Sequence, residues 1–197
     1  DRPSENRLVK KQETDRTPAA APLVHFAYHP EYFCDIGVHV FPMEKFGLIR
    51  DRLAREARLG PERFLEPEPA TDADLARVHT PAYLDAFLNL RETAAVLSSE
   101  LPISAEIVRA YRRMTGGTML AFRTALQSCG CAVNLGGGFH HAFAGRAEGF
   151  CYINDVAVAV RDLQAAGLAR RFVIVDVDLH QGNGTAAIFR DEPAVFT

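Results

Sequence analysis

No apolar run in the sequence approaches the roughly 20 residues that a membrane-spanning helix needs, and the N-terminus has no basic stretch leading into an apolar one. Neither a membrane span nor a secretory signal is indicated. Cysteine is scarce: Cys34, Cys129, Cys131 and Cys151 form no C-x-x-C pair and no dense framework, and Cys129 and Cys131 stand too close for an ordinary zinc knuckle. A reducing, cytoplasmic setting is the expectation. Positive charge is not in excess, for the formal net charge is −3, so nucleic acid and anionic membranes are disfavoured as partners. Lysine is rare, with only Lys10, Lys11 and Lys45 among 22 basic residues, an arginine bias given no functional weight. Internal repeats are absent.

What is present is ordinary globular material: 197 residues, 48% hydrophobic and 24% charged, enough for one domain with a sizeable core. Residues 1–22 are polar and then Ala/Pro-rich, which predicts a disordered leader. From there the pattern alternates strands with helices. "LVHFAY" (23–28) has strand composition, and "MEKFGLIRDRLAREARL" carries apolar residues at helical spacing. "TDADLARVH" offers a Thr N-cap and "TPAYLDAFLNL" a proline at the first helical position. A long helix over "SAEIVRAYRRMTGGTMLAFRTALQ" is expected to relax near Gly116–Gly117. "CAVNL" (131–135) reads as a strand, 153–167 as a helix ending at Gly167, and "RFVIVDVDL" (171–179) as a further strand. Strands separated by helices imply a parallel sheet with both faces covered.

Two segments carry chemistry. In a strand over 171–179, Asp176, Asp178 and His180 share one face while Val175, Val177 and Leu179 pack on the other. Ligands of open α/β sheets bind at the carboxyl ends of strands, so Asp178 and His180 would emerge at the rim as oxygen and nitrogen donors to one cation. Three titratable groups there are costly unless neutralised. A metal does this, and so does a salt-bridged or N-capping pair; the strand alone leaves both open. An apolar run closing in Asp-x-Asp also resembles the nucleophile strand of haloacid-dehalogenase-type phosphatases. There the second Asp meets a Gly-Thr turn directly, whereas here Leu179, His180 and Gln181 intervene. In the second segment, "NLGGGFHHAFAGRAEGFCYIND" (134–155), adjacent histidines follow a glycine-rich turn. His141 stands where a G-x-G-x-x-G loop would need its last glycine, which argues against a nucleotide loop. Two histidines placed by glycines at a strand's end suit general acid–base work.

Together, "GGGFHHA", "EGFCYINDVAVA" and "VDVDLHQGNGT", with "HPEYFCDIGVHVFPMEKFGLIRDRL" and "VHTPAYLDAF" upstream, resemble the zinc-dependent histone deacetylase and acetylpolyamine amidohydrolase superfamily. The resemblance runs over residues 23–197, its motifs are highly specific in order and spacing, and "DLHQGNGT" is most similar to the class IV type and its bacterial relatives. It implies an arginase/deacetylase-type three-layer α/β fold, with 23–197 forming the N-terminal part of the domain. It implies that Asp178 and His180 are two of three Zn²⁺ ligands, and that His140 and His141 are the acid–base pair. Asp176 is implied to orient His140 and, with Asp178 and His180, to help hold a structural K⁺. Gly149 and Phe150 are implied to wall a narrow channel for an acyl-lysine side chain. The substrate so implied is an acyl-lysine protein or a small acylated amine such as an acetylpolyamine; a non-catalytic acyl-lysine-binding module is the other possibility.

Two departures bear on these expectations. Many relatives carry Asp where this chain has Asn183, which orients His141 without adding charge. The family's third zinc ligand, an Asp in a Gly-Ala-Asp-like segment, and its oxyanion-binding tyrosine have no counterpart in this chain; Asp191 and Glu192, in "RDEPA", fit neither role.

Overall fold

The computed structural model describes residues 24–197. The expected leader at 1–22, and Leu23 at the head of the first strand, lie outside the described residues. Strand β1 (His25–Ala27) lies between β2 (Phe64–Leu65) and β3 (Ala132–Asn134), parallel to both, with Phe26 opposite Phe64 and Val133. A second parallel pair joins β4 (Phe172–Val173) to β5 (Val195–Phe196), with Phe172 opposite Val195. Parallel neighbours require crossovers, and helices supply them. These are α1 (Lys45–Glu56), α2 (Asp72–Leu75), α3 (Pro81–Leu88), α4 (Ala94–Leu97), α5 (Ala105–Ser128), α6 (Asp155–Ala165) and α7 (Asn183–Phe189). The parallel sheet flanked by helices is therefore present, though among the described residues it comes in two pieces.

Local sequence explains the helix ends. Thr71 caps α2 in a capping box with Asp74, Pro81 opens α3, and the Ser104 hydroxyl accepts the Ile107 N–H at 3.2 Å to start α5. The Asn154 side chain accepts the Ala157 N–H at 3.0 Å to start α6. Helix α5 does not relax at Gly116–Gly117; it runs unbroken through them. The pair serves packing instead, because a β-carbon at Gly116 would overlap the Glu68 carbonyl and one at Gly117 would overlap the Tyr32 hydroxyl. The backbone of α5 thus lies directly on the 67–70 segment and on Tyr32. Its buried residues Tyr111 and Met114 meet Phe139, Tyr152 and Val158 in the main core.

The strand expected over 171–179 is reduced to Phe172–Val173. The Ile174 N–H still donates to the Phe196 carbonyl at 2.8 Å, but among the described residues no ladder continues beyond it. Val175, Val177 and Leu179, expected to pack, are 77%, 90% and 94% exposed. These apolar positions lack the burial that a strand face normally has, since nothing among the described residues covers them. No described helix is long and apolar enough to cross a membrane.

Candidate active site

The histidine loop is held from below by a buried carboxylate. After β3 the chain turns through Gly136–Gly138, and Asp155, at the first position of α6, accepts the Gly138 N–H at 3.0 Å and the Phe139 N–H at 2.8 Å. Burial pushes the Asp155 carboxyl up, while the Thr118 hydroxyl and these two amides work to keep it ionised. Asn154 ties the same loop to α7, donating to the Ala142 carbonyl at 3.1 Å and to the Thr185 hydroxyl at 3.0 Å. The Thr185 N–H donates to the His140 carbonyl at 3.0 Å. His140 and His141 are therefore fixed at the backbone on both sides, with ring centroids 4.2 Å apart.

Each ring has its own partner. His140 Nδ1 lies 2.5 Å from Asp176 Oδ2, and His141 Nδ1 lies 2.7 Å from Asn183 Oδ1. The Asn183 amide is itself oriented, because its oxygen accepts the Gly184 N–H at 2.9 Å and its nitrogen donates to Glu148 Oε1 at 2.5 Å. An amide oxygen can only accept, so the His141 ring donates to it from Nδ1. Glu148 is held below the usual carboxylate range by Asn183 and by Arg146, whose guanidinium lies 2.9 Å away. Asp176 also sits low: partial burial pushes it up, and the bonds from His140 and from the Asp178 N–H, at 3.0 Å, more than offset this.

Asp178 and His180 sit on a bend, not in a strand. Asp178 Oδ1 accepts the His180 N–H at 2.8 Å and lies 3.2 Å from His180 Nδ1. That bond from the His180 backbone is the main reason the Asp178 carboxyl lies below its ordinary range. Neighbouring ligands of a tetrahedral zinc with bonds of about 2.0–2.1 Å stand about 3.3 Å apart, so this oxygen and nitrogen fit one edge of such a site. A third donor does not join them: no group of three His, Cys, Asp or Glu suited to a metal occurs among the described residues.

Gly149 and Phe150 form a tight turn closed by paired bonds between Glu148 and Cys151, with φ of 51° and 62°. Positive φ at both central residues is the type I′ signature, and a phenylalanine there carries strain. The Tyr111 hydroxyl at 2.5 Å from the Phe150 carbonyl and the Phe150 N–H at 2.9 Å from the Ser99 carbonyl hold it. The ring packs against His39 and Phe41 at 4.6 and 6.0 Å. It lines a cavity of about 520 Å³ shared with His140, His141, Asp178 and His180. A second cavity of about 390 Å³, bordered by Asp176, also touches Asp178 and His180.

All eight residues singled out from the sequence thus meet around one place. Glu148 and Asp155 escaped that reading. Glu148 is 35 positions from Asn183, with no local pattern to link them. Asp155 did carry a signal, since Asn-Asp before an apolar helical run marks a helix N-terminus whose acid can reach back. Glu192, which fits no site role, is paired with Arg161 at 2.7 Å.

Residues 39–197 match the family model of the histone deacetylase domain. An uncharacterized protein of Picosynechococcus is 44% identical over 172 residues, covering 86% of this chain and 57% of that protein. The acetoin utilization protein AcuC of Bacillus subtilis is 32% identical, over 87% of this chain and 47% of its own length. Among solved structures, a histone deacetylase homolog from Aquifex aeolicus superposes with a TM-score of 0.75 at 28% identity, covering 88% of this chain and 49% of that one. The chain spans about half the length of the curated relatives it matches.

Proposed function

The chain belongs to the histone deacetylase family, and on that premise we propose that its site serves zinc-dependent hydrolysis of an N-acyl amine, with acetyl- or longer acyl-lysine on a protein as the substrate class. The observation that carries this reading is the pair of histidines with separately fixed Nδ1 atoms, 2.5 Å from a carboxylate and 2.7 Å from an amide, facing the cavity that also holds Asp178 and His180.

In this reading both rings present Nε2 to the reacting amide. His141, oriented by Asn183, takes the proton of the attacking water, and His140, backed by the Asp176 carboxylate, supports positive charge as the amine departs. Phe150 excludes water from the alkyl stem of the acyl-lysine. Asp178 and His180 would hold zinc, which when bound polarises the carbonyl and acidifies water. Potassium belongs to the same reading through Asp176, whose side chain is 33% exposed and keeps lone pairs beyond its two bonds. The two-donor set and the half-length match support a chain that is the N-terminal portion of a longer deacetylase domain, the remaining donor and the oxyanion tyrosine coming from beyond it.

The test is acetate release from an acetyl-lysine peptide by the complete gene product, with and without chelator. Turnover that chelation abolishes is expected, and His141→Ala is expected to lower kcat by about 10²–10⁴ with zinc still bound. Chelator-resistant turnover would overturn the zinc assignment, and absent turnover would leave the acyl-lysine-binding module. Faster release from acetylated polyamines than from peptides would move the substrate class to small amines.

A further inference from the structure

The described residues leave one cation of the active-site cavity without a partner. Lys45, the first residue of α1, lines the 520 Å³ space together with His140 and His141 and is the only lysine or arginine among the described residues that does so. Its ammonium lies 3.5 Å from the Phe41 ring centroid and 5.2 Å from that of Phe46. Phe41 in turn packs on Phe150, so Lys45, Phe41 and Phe150 form one continuous wall. None of the ion pairs among the described residues involves Lys45. Glu100 and Asp178, the acidic groups of the same cavity, do not reach it at ion-pair distance. Half-buried, the amine is pulled below the usual lysine range by desolvation. Ring faces offset only part of that cost, because a cation over an aromatic ring recovers about 0.5–2 kcal/mol. A carboxylate would offset more, through charge-assisted hydrogen bonds that an acetyl group cannot offer.

We propose that Lys45 recognises the terminal carboxylate of a dicarboxylic acyl group, so that this site favours succinyl- or glutaryl-type amides over plain acetyl amides. The inference rests on the deacylase reading and narrows its substrate class. Hydrolysis breaks the amide C–N bond; the carbonyl carbon gains hydroxide, the amine gains the proton, and a dicarboxylic acid leaves. The cavity lies within the range of about 300–1,000 Å³ usual for small-molecule sites, so an acyl chain of this length can be accommodated beside the histidines.

Two measurements on the complete gene product test this. In the first, kcat/KM is measured on succinyl-lysine and acetyl-lysine peptides. Lys45→Met is expected to lower the succinyl-to-acetyl ratio by about 10–100-fold, the range of one charged hydrogen bond, and Lys45→Arg to retain most of it. A ratio unchanged in Lys45→Met overturns the proposal. The second uses lysine-labelled NMR, with the Lys45 signal identified by its loss in Lys45→Arg. N-butylsuccinamate is expected to move that signal more than N-butylacetamide or acetate does. No shift, or an equal shift with acetate or with the acetamide, overturns it. The NMR arm needs no turnover, so selective succinamate binding without hydrolysis would sink the deacylase reading alone. Acetyl-lysine hydrolysis with an unmoved ratio would sink the Lys45 assignment alone.

Discussion

Asn183 stands between His141 and Glu148, and this changes what the obvious substitution does. With no other change, Asn183→Asp would back His141 with a carboxylate and move the histidine-dependent limb of the pH–rate profile to higher pH. The new carboxylate, however, would face Glu148 Oε1 where the Asn183 nitrogen now donates at 2.5 Å. Two carboxylates in that contact share a proton, so the single variant is expected to lose thermal stability and to shift the profile little. Asn183→Asp with Glu148→Gln should recover the stability and show the upward shift; a full shift in the single variant would mean that Glu148 does not reach position 183. His79 gives a residue-scale prediction of a different kind. It is buried, its Nε2 accepts the Asn154 N–H at 3.1 Å, and burial lowers it from 6.5 to about 4. The unfolded chain therefore takes up this proton first. The buried neutral ring carries no penalty above about pH 6.5 and a growing one down to about pH 4, reaching about 3 kcal/mol. Of the carboxylates held low, Asp74, Asp176 and Asp178 start from 3.8 and lose their contribution below that window, whereas Glu31, Glu148 and Glu192 start from 4.5 and add to the fall only near its lower end. His79→Gln should flatten the fall in Tm between pH 6.5 and 4, and a slope as steep as the parent's would remove His79 as its cause. At this scale the sequence was legible where residues act through near neighbours or a shared motif, as with His140, His141, Asp178 and His180. It was silent on Glu148, whose contact with Asn183 belongs to no motif read from the sequence.

Helix α5 shows the same limit for elements. Its existence and length could be read directly, but Gly116–Gly117 reads as a weak point only while the neighbours are unknown. A glycine in mid-helix costs about 0.5–1 kcal/mol relative to alanine, so helix propensity alone predicts that Gly116→Ala stabilises. The Glu68 carbonyl lies where that β-carbon would go, and backbone cannot swing aside as a side chain can. Overpacking of this kind costs about 1–3 kcal/mol, which outweighs the gain. Gly116→Ala is therefore expected to lower Tm, and a raised Tm would mean that the 67–70 segment yields freely. The segment 171–179 fails in the opposite direction. Alternation identifies residues that could share a face, but hydrogen bonding to a neighbour decides whether a strand forms, and β5 supplies that only as far as Phe196. The type I′ turn at Gly149–Phe150 was equally hidden, because phenylalanine is not a residue that signals positive φ.

At the scale of the molecule, five of the exposed large apolar side chains are gathered in one strip. Val173, Val175, Val177 and Leu179 follow one another at alternate positions, and Phe196 lies beside them on the paired strand; all five are more than 70% exposed. A contiguous apolar strip beside an unpaired sheet edge is a recognised route to aggregation. The strip also leads directly into the site, since it ends at Leu179, between Asp178 and His180. Whatever covers it would also fix the bend that sets the 3.2 Å spacing of Asp178 Oδ1 and His180 Nδ1. If the cover is the remainder of a longer domain, as proposed above, a charge placed on the strip must act in opposite directions in the two forms. Val177→Lys should raise the soluble fraction of the 197-residue chain, where the side chain meets water. In the protein extended through its downstream reading frame it should lower Tm and zinc content together, because full burial of a valine is worth about 1.5–3 kcal/mol and an unpaired buried charge costs more. The paired measurements are soluble yield, Tm and bound zinc for parent and variant in both lengths. A variant that behaves alike in both would show that position 177 faces water in the longer protein too, and would detach this strip from the completion of the metal site.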